Sequence, residues 1–229
     1  MLPKIPASKF PQPALFVLEE SMETVELFPA VWSAVEDLTM PEAEVRHKAL
    51  DRLVGLNAPR FSPVVAYMLL TRLTDPDLKL RGRVANILSQ VLTPDEEGRS
   101  APEDVRSHLL LYLSQLRTRQ VFSLLQVIAG DNSIAEQVAN LINACPYAGN
   151  HLIDILNDHK APIEIRKQAA MMIGKVGFVD VLPMLEKLEN RLEARLNGQK
   201  AMPFAPPPNL NEVDLLPSVQ ESIRLLRSP

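Results

Sequence analysis

With 229 residues, 46% of them hydrophobic and 23% charged, the chain is long enough to bury a sizeable core and has an ordinary globular composition, which excludes a disordered or fibrous protein. A formal net charge of -4 gives no general basic excess for nucleic acid, and no run reaches the roughly 18 apolar residues of a membrane span. The one cysteine, Cys145, excludes an internal disulfide and every multi-cysteine zinc site, so a reducing, cytoplasmic setting is the expectation. Gly is scarce at 8, aromatics stand at 5%, and Leu, Ala, Val and Met dominate the apolar set, which favours an all-α fold.

In chain order, residues 1–13 carry Pro3, Pro6, Pro11 and Pro13 and read as an extended segment without the apolar core of a secretory signal. Leu15, Leu18, Met22 and Val25, then Leu27, Val31, Val35 and Leu38, form apolar stripes at helical spacing, two helices broken near Pro29. Pro41 to Leu56 reads as a helix with its proline in the first turn and a capping box of Thr39 and Glu42 ahead of it. A helix ending at Leu73 precedes the turn Thr74-Asp75-Pro76-Asp77, where Asp75 is the expected N-cap, and Leu78 to Leu92 follows. Residues 93–102 hold two prolines and a glycine and read as a loop ending in a second box, Ser100 to Glu103, before a helix to about Leu116. Val121 to Ala129, Ser133 to Ala144, Ala148 to Asn157, Pro162 to Val176 and Val179 to Leu196 are five more helices with short links, the pattern of antiparallel neighbours. The expected organisation is a helical domain over 14–200, a polyproline II linker over 201–209, and an amphipathic helix over 210–229, with stripe Leu216, Val219, Ile223 and Leu226, that docks on the domain.

Aligning segments on arginine exposes a repeat. Arg46 is followed by Ala49, Leu50, Leu53 and Leu56 at offsets 3, 4, 7 and 10, and Arg81 by Val84, Ala85, Leu88 and Val91 at the same offsets. Arg166 gives Ala169, Ala170, Ile173 and Val176, and Arg106 gives Leu109, Leu110, Leu113 and Leu116, each with a proline four or five residues upstream. These offsets share one helix face, and small residues near its start let a neighbour approach closely.

The pattern resembles the HEAT repeat family, in which a first helix, an Asp-Pro-type turn and a second helix stack into a superhelix. The best copies are Val64 to Leu92 and Ala148 to Val176; Asp75-Pro76 with Arg81 matches the family turn, while Met40-Pro41 and Ala161-Pro162 keep the proline without the preceding aspartate. Arginine spacings of 35, 25 and 60 residues depart from the steady period of roughly 30 to 47 of such repeats, so the helix bearing Arg106 is assigned a first-helix position despite its pattern. The resemblance covers roughly residues 28–196 and implies an alpha-alpha superhelix of antiparallel helix pairs whose second helices line a concave face. On that face the outward offsets 2, 5 and 9 are Lys48, Asp51 and Gly55; Arg83, Asn86 and Gln90; and Gln168, Met171 and Lys175. This polar ladder is the expected site for another protein, as in extended concave repeat surfaces.

Chemistry-bearing motifs do not compete with that reading. His47, His108, His151 and His159 stand singly, and their following residues lack the His-Glu pairs of HEAT-like iron hydroxylases, so neither a metal nor a cofactor is expected. HEAT-like DNA glycosylases motivate a nucleic-acid alternative, but Trp32 lies beside an apolar stripe and reads as core, and the Lys187, Arg191, Arg195 row is flanked by Glu189 and Glu193 as on a solvated helix. An auxiliary subunit like the HEAT-containing bilin lyases is the other alternative. Cys145 reads as a small buried hydrophobe.

Overall fold

The computed structural model describes residues 28–196 and 210–228. The expected first helix near 15–25, the extended segment at 1–13 and the linker at 201–209 lie outside these residues. The described residues form twelve α-helices: α1 (Pro29–Asp37), α2 (Ala43–Gly55), α3 (Ala58–Phe61), α4 (Pro63–Thr71), α5 (Leu78–Leu92), α6 (Glu103–Leu113), α7 (Thr118–Gly130), α8 (Ala135–Asn143), α9 (Ala148–Asn157), α10 (Ile163–Val176), α11 (Leu182–Leu196) and α12 (Leu216–Arg227). Among them there is no strand and no helix long and apolar enough to cross a membrane. The all-α expectation is met.

Consecutive helices pack as pairs, α1 on α2, α4 on α5, α7 on α8, α9 on α10 and α11 on α12. Second helices also touch in succession, α2 to α5 to α8 to α10 to α12, while α7 packs on α9 among the first helices. The helix bearing Arg106, α6, lies outside this alternation and packs on α4. One contiguous core runs through the pairs, and the residues at offsets 3, 4 and 7 from Arg46, Arg81 and Arg166 are all buried in it. Leu110, at the corresponding place in α6, is 46% exposed, so α6 does not bury its repeat face like the others.

Three of the four aligned arginines, Arg46, Arg81 and Arg166, are themselves buried, against the usual exposure of the residue type. Arg46 Nη1 donates to the carbonyls of Met40 and Pro41 in its own turn, and its Nη2 to Asp75 Oδ1 of the following turn at 2.9 Å. Arg81 Nη1 donates to Ser123 O and Gln126 Oε1 on α7 at 3.3 and 2.7 Å. Arg166 Nε donates to Leu156 O in its own pair at 2.7 Å and its Nη2 to Glu212 Oε1 at 3.1 Å. Each guanidinium therefore reaches forward to the next helix pair.

Helix starts differ from the expected caps. Thr39 Oγ1 donates back to Glu36 O, so it closes α1 instead of opening α2, and Pro41 precedes the Glu42 N-cap instead of sitting in the first turn. The cap of α5 is Asp77, whose Oδ1 accepts from the N–H groups of Lys79 and Leu80; Asp75 is drawn to Arg46 and accepts from Asp77 N–H. Ser100 does not cap α6, whose N-cap is Pro102. Trp32 is 43% exposed rather than core, because α1 buries Val31, Ala34, Val35 and Leu38, and about 100° per residue puts Trp32 on the flank of that stripe.

The chain's last helix packs on α10 and α11. Val219 and Ile223 enter the core, and Ser222, fully buried, donates to Ala170 O at 2.6 Å. Gly174 makes room for this: a Cβ there would lie 2.7 Å from Ser222 Cα.

Candidate functional site

The outward residues of α2, α5 and α10 are partly joined and partly apart. Asp51 on α2 and Arg83 on α5 form an ion pair across the two helices. Arg83 Nη1 also donates to His47 Nδ1 at 3.0 Å, which leaves the proton on Nε2, 3.2 Å from Asp77 Oδ2. The backbone N–H of Leu80 and, further, the His47 side chain hold the Asp77 carboxyl below its ordinary range despite partial burial. Lys175 on α10 pairs with Glu136 on α8, and Met171 beside it is 43% exposed. Lys48 and Gln90 are exposed; Lys48 makes no ion pair among the described residues, and Gln90 lines a separate cleft of about 100 Å³ with Val54, Asn57 and Ile87. Gln168 is half-buried, with its Oε1 enclosed and without a hydrogen-bond partner among the described residues.

Arg83 and Asn86 line the larger feature of this face, a groove of about 620 Å³. Leu78, Lys79 and Gly82 of α5 form it with Val127 and Gly130 of α7, and Asp131, Ser133 and Ile134 of the α7–α8 turn with Gln137 of α8 complete it. Two glycines let its walls approach: a Cβ on Gly82 would meet Val127 Cγ1 at 3.3 Å, and one on Gly130 would meet Leu78 Cδ2 at 2.9 Å. Asp131 Oδ1 accepts from the N–H and hydroxyl of Ser133, and these bonds hold its carboxyl below the ordinary range. Lys79 makes no ion pair among the described residues, with Asp131 or any other group.

The α8 contribution escaped the arginine alignment because Ala135 stands where the arginine would be. Counted from Ala135, offsets 3, 4, 7 and 10 are Val138, Ala139, Ile142 and Cys145, all buried. Offsets 2 and 5 are then Gln137, in the groove, and Asn140, whose Nδ2 donates to Ser89 Oγ on α5 at 3.3 Å. Weighting the apolar face over the arginine would have found both.

A second polar centre lies at the tail. Glu212, in the 3-10 segment Leu210–Leu215 before α12, is 2% exposed and receives Arg166, Arg191, Arg195 and His159. Burial first, and then Arg166, Arg191 and Arg195, push the His159 imidazole below its ordinary range, which favours the neutral ring. Arg166 is lowered by burial and by Arg191. Two cations of the row on α11 thus hold the tail down, whereas a solvated row was expected. His151 is also committed, with Nε2 donating to Leu116 O at 3.1 Å and Nδ1 accepting from the Thr118 hydroxyl at 2.9 Å. Cys145 is fully buried. Comparison of the chain with protein-family models, with curated proteins and with solved structures finds no match.

Proposed function

We propose that the chain is a HEAT-type helical-repeat scaffold without chemistry of its own, whose second-helix face binds a segment of another protein in a cytoplasmic setting. The groove between α5 and the α7–α8 turn carries this reading, because it joins apolar walls, Leu78, Val127 and Ile134, to a few convergent polar groups on the repeat face. Its volume of about 620 Å³ suits a short stretch of polypeptide. The arginines most available to a phosphate backbone on α11, Arg191 and Arg195, are instead engaged by Glu212, which weakens the nucleic-acid alternative.

The test is affinity capture from extract with the intact chain and with Arg83→Glu, which alters the groove wall and the Asp51 pair. Recovery of a defined polypeptide by the first and its loss with the second is the expected result. Recovery of nucleic acid alone, or a salt-sensitive shift of duplex DNA, overturns the proposal.

A further inference from the structure

Resting on that reading, we infer that the occupant of the second-helix face is an extended, non-helical segment held through its main-chain amides by a row of side-chain carboxamides: Asn86 on α5, Gln137 on α8 and Gln168 on α10.

Three observations lead there. First, successive second helices α5, α8 and α10 touch, and each presents a carboxamide at an outward offset, 5 for Asn86 and 2 for Gln137 and Gln168. A carboxamide offers a donor and an acceptor together, as a peptide unit does, so it can pair with main chain of any sequence. Second, the Oε1 atoms of Gln137 and Gln168 are enclosed with no hydrogen-bond partner among the described residues. A buried acceptor left unpaired is costly, and turning either amide outward lets it accept a hydrogen bond, from water in the free protein and from the main-chain N–H of a bound segment in the complex. Third, Lys79 and Asp131 line one groove with opposite charges and do not pair with each other, so the groove suits a segment carrying both an acidic and a basic side chain.

Geometry separates an extended occupant from a helical one. A helix spends its N–H and C=O groups internally, leaving nothing for carboxamides, whereas an extended chain keeps them free. Packed helix axes lie about 8–10 Å apart, and three residues of polyproline II chain advance about 9 Å, so a chain crossing the second helices meets one carboxamide about every third residue.

The experiment is selection of displayed random dodecapeptides on the immobilised full chain. The enriched peptides are then resynthesised and their affinities measured with and without N-methylation at every third main-chain nitrogen. The expected result is enriched sequences carrying an acidic and a basic residue, a tenfold or greater loss on methylation in the matching register, and a severalfold loss on Gln137→Leu or Gln168→Leu with the melting temperature kept. Weakening by Lys79→Glu is expected as well. Peptides with helical spacing of apolar anchors, or affinity unmoved by methylation, overturn the carboxamide inference and leave protein binding standing. No enrichment over a heat-denatured control overturns the underlying reading itself. Because methylation alters only the peptide, the result does not depend on how the glutamine variants fold.

Discussion

Arg46 and Arg106 occupy equivalent places in the sequence pattern and opposite places in the energetics. Arg46 and Asp75 are 5% and 2% exposed at their side chains and bond at 2.9 Å, while Arg106 pairs with the exposed Glu103 one turn away on its own helix. A buried ion pair contributes little against an apolar replacement, but removing one partner strands the other charge at a cost of about 3–5 kcal/mol. Asp75→Ala should therefore lower the unfolding free energy by about that much in a urea titration, and Arg106→Ala by about 1 kcal/mol or less. Equal losses for the two would contradict the assignment of Arg46 as an interior tie between pairs. The same residue scale explains the cap of α5: once Asp75 is committed to Arg46, the next aspartate, Asp77, takes the helix N-terminus.

At the scale of elements, two glycines give opposite expectations. Glycine inside a helix costs up to about 1 kcal/mol relative to alanine, so Gly→Ala stabilises where space allows. A Cβ on Gly55 would meet nothing within 4 Å, whereas one on Gly174 would lie 2.7 Å from backbone of α12. Gly55→Ala should raise stability by about 0.5–1 kcal/mol, and Gly174→Ala should lower it by about 1–3 kcal/mol through displacement of α12. Thermal melts of the two variants moving in the same direction would rule out the close α10–α12 contact. Every described helix longer than one turn was legible because the apolar period is strong, and α9 begins and ends at the residues its pattern marks; the four-residue α3, too short to show a period, was not. Boundaries and caps were less legible, since Asp75 and Thr39 find partners outside the local sequence. Of the expected ladder, Asp51, Arg83 and Asn86 do share a surface, while the α8 half of the groove was hidden by Ala135 in place of arginine.

For the whole molecule, the packed pairs raise the question of what covers the apolar side of α10 and α11, because such a side is buried only against a neighbouring element. Here α12 covers α10 and α11, placing Leu215, Val219 and Ile223 in the core and Glu212 against Arg166. Its outer side carries Gln220, Glu221 and Arg224, all exposed. Truncation after Gln199 removes three buried aliphatic side chains, worth about 1.5–3 kcal/mol each, and leaves Arg166 without its buried carboxylate. The sum is comparable to the whole stability of a typical domain, about 5–15 kcal/mol, so the melting temperature should fall by at least about 10 °C and a hydrophobic dye should bind the truncated chain. Adding a peptide of residues 210–228 should restore part of the loss, with Glu212→Gln peptide restoring less, since it meets the three arginines without a charge. An unchanged melt after truncation would mean that this segment does not cover its own chain in solution, and the exposed side of α10 would then have to be closed by another molecule.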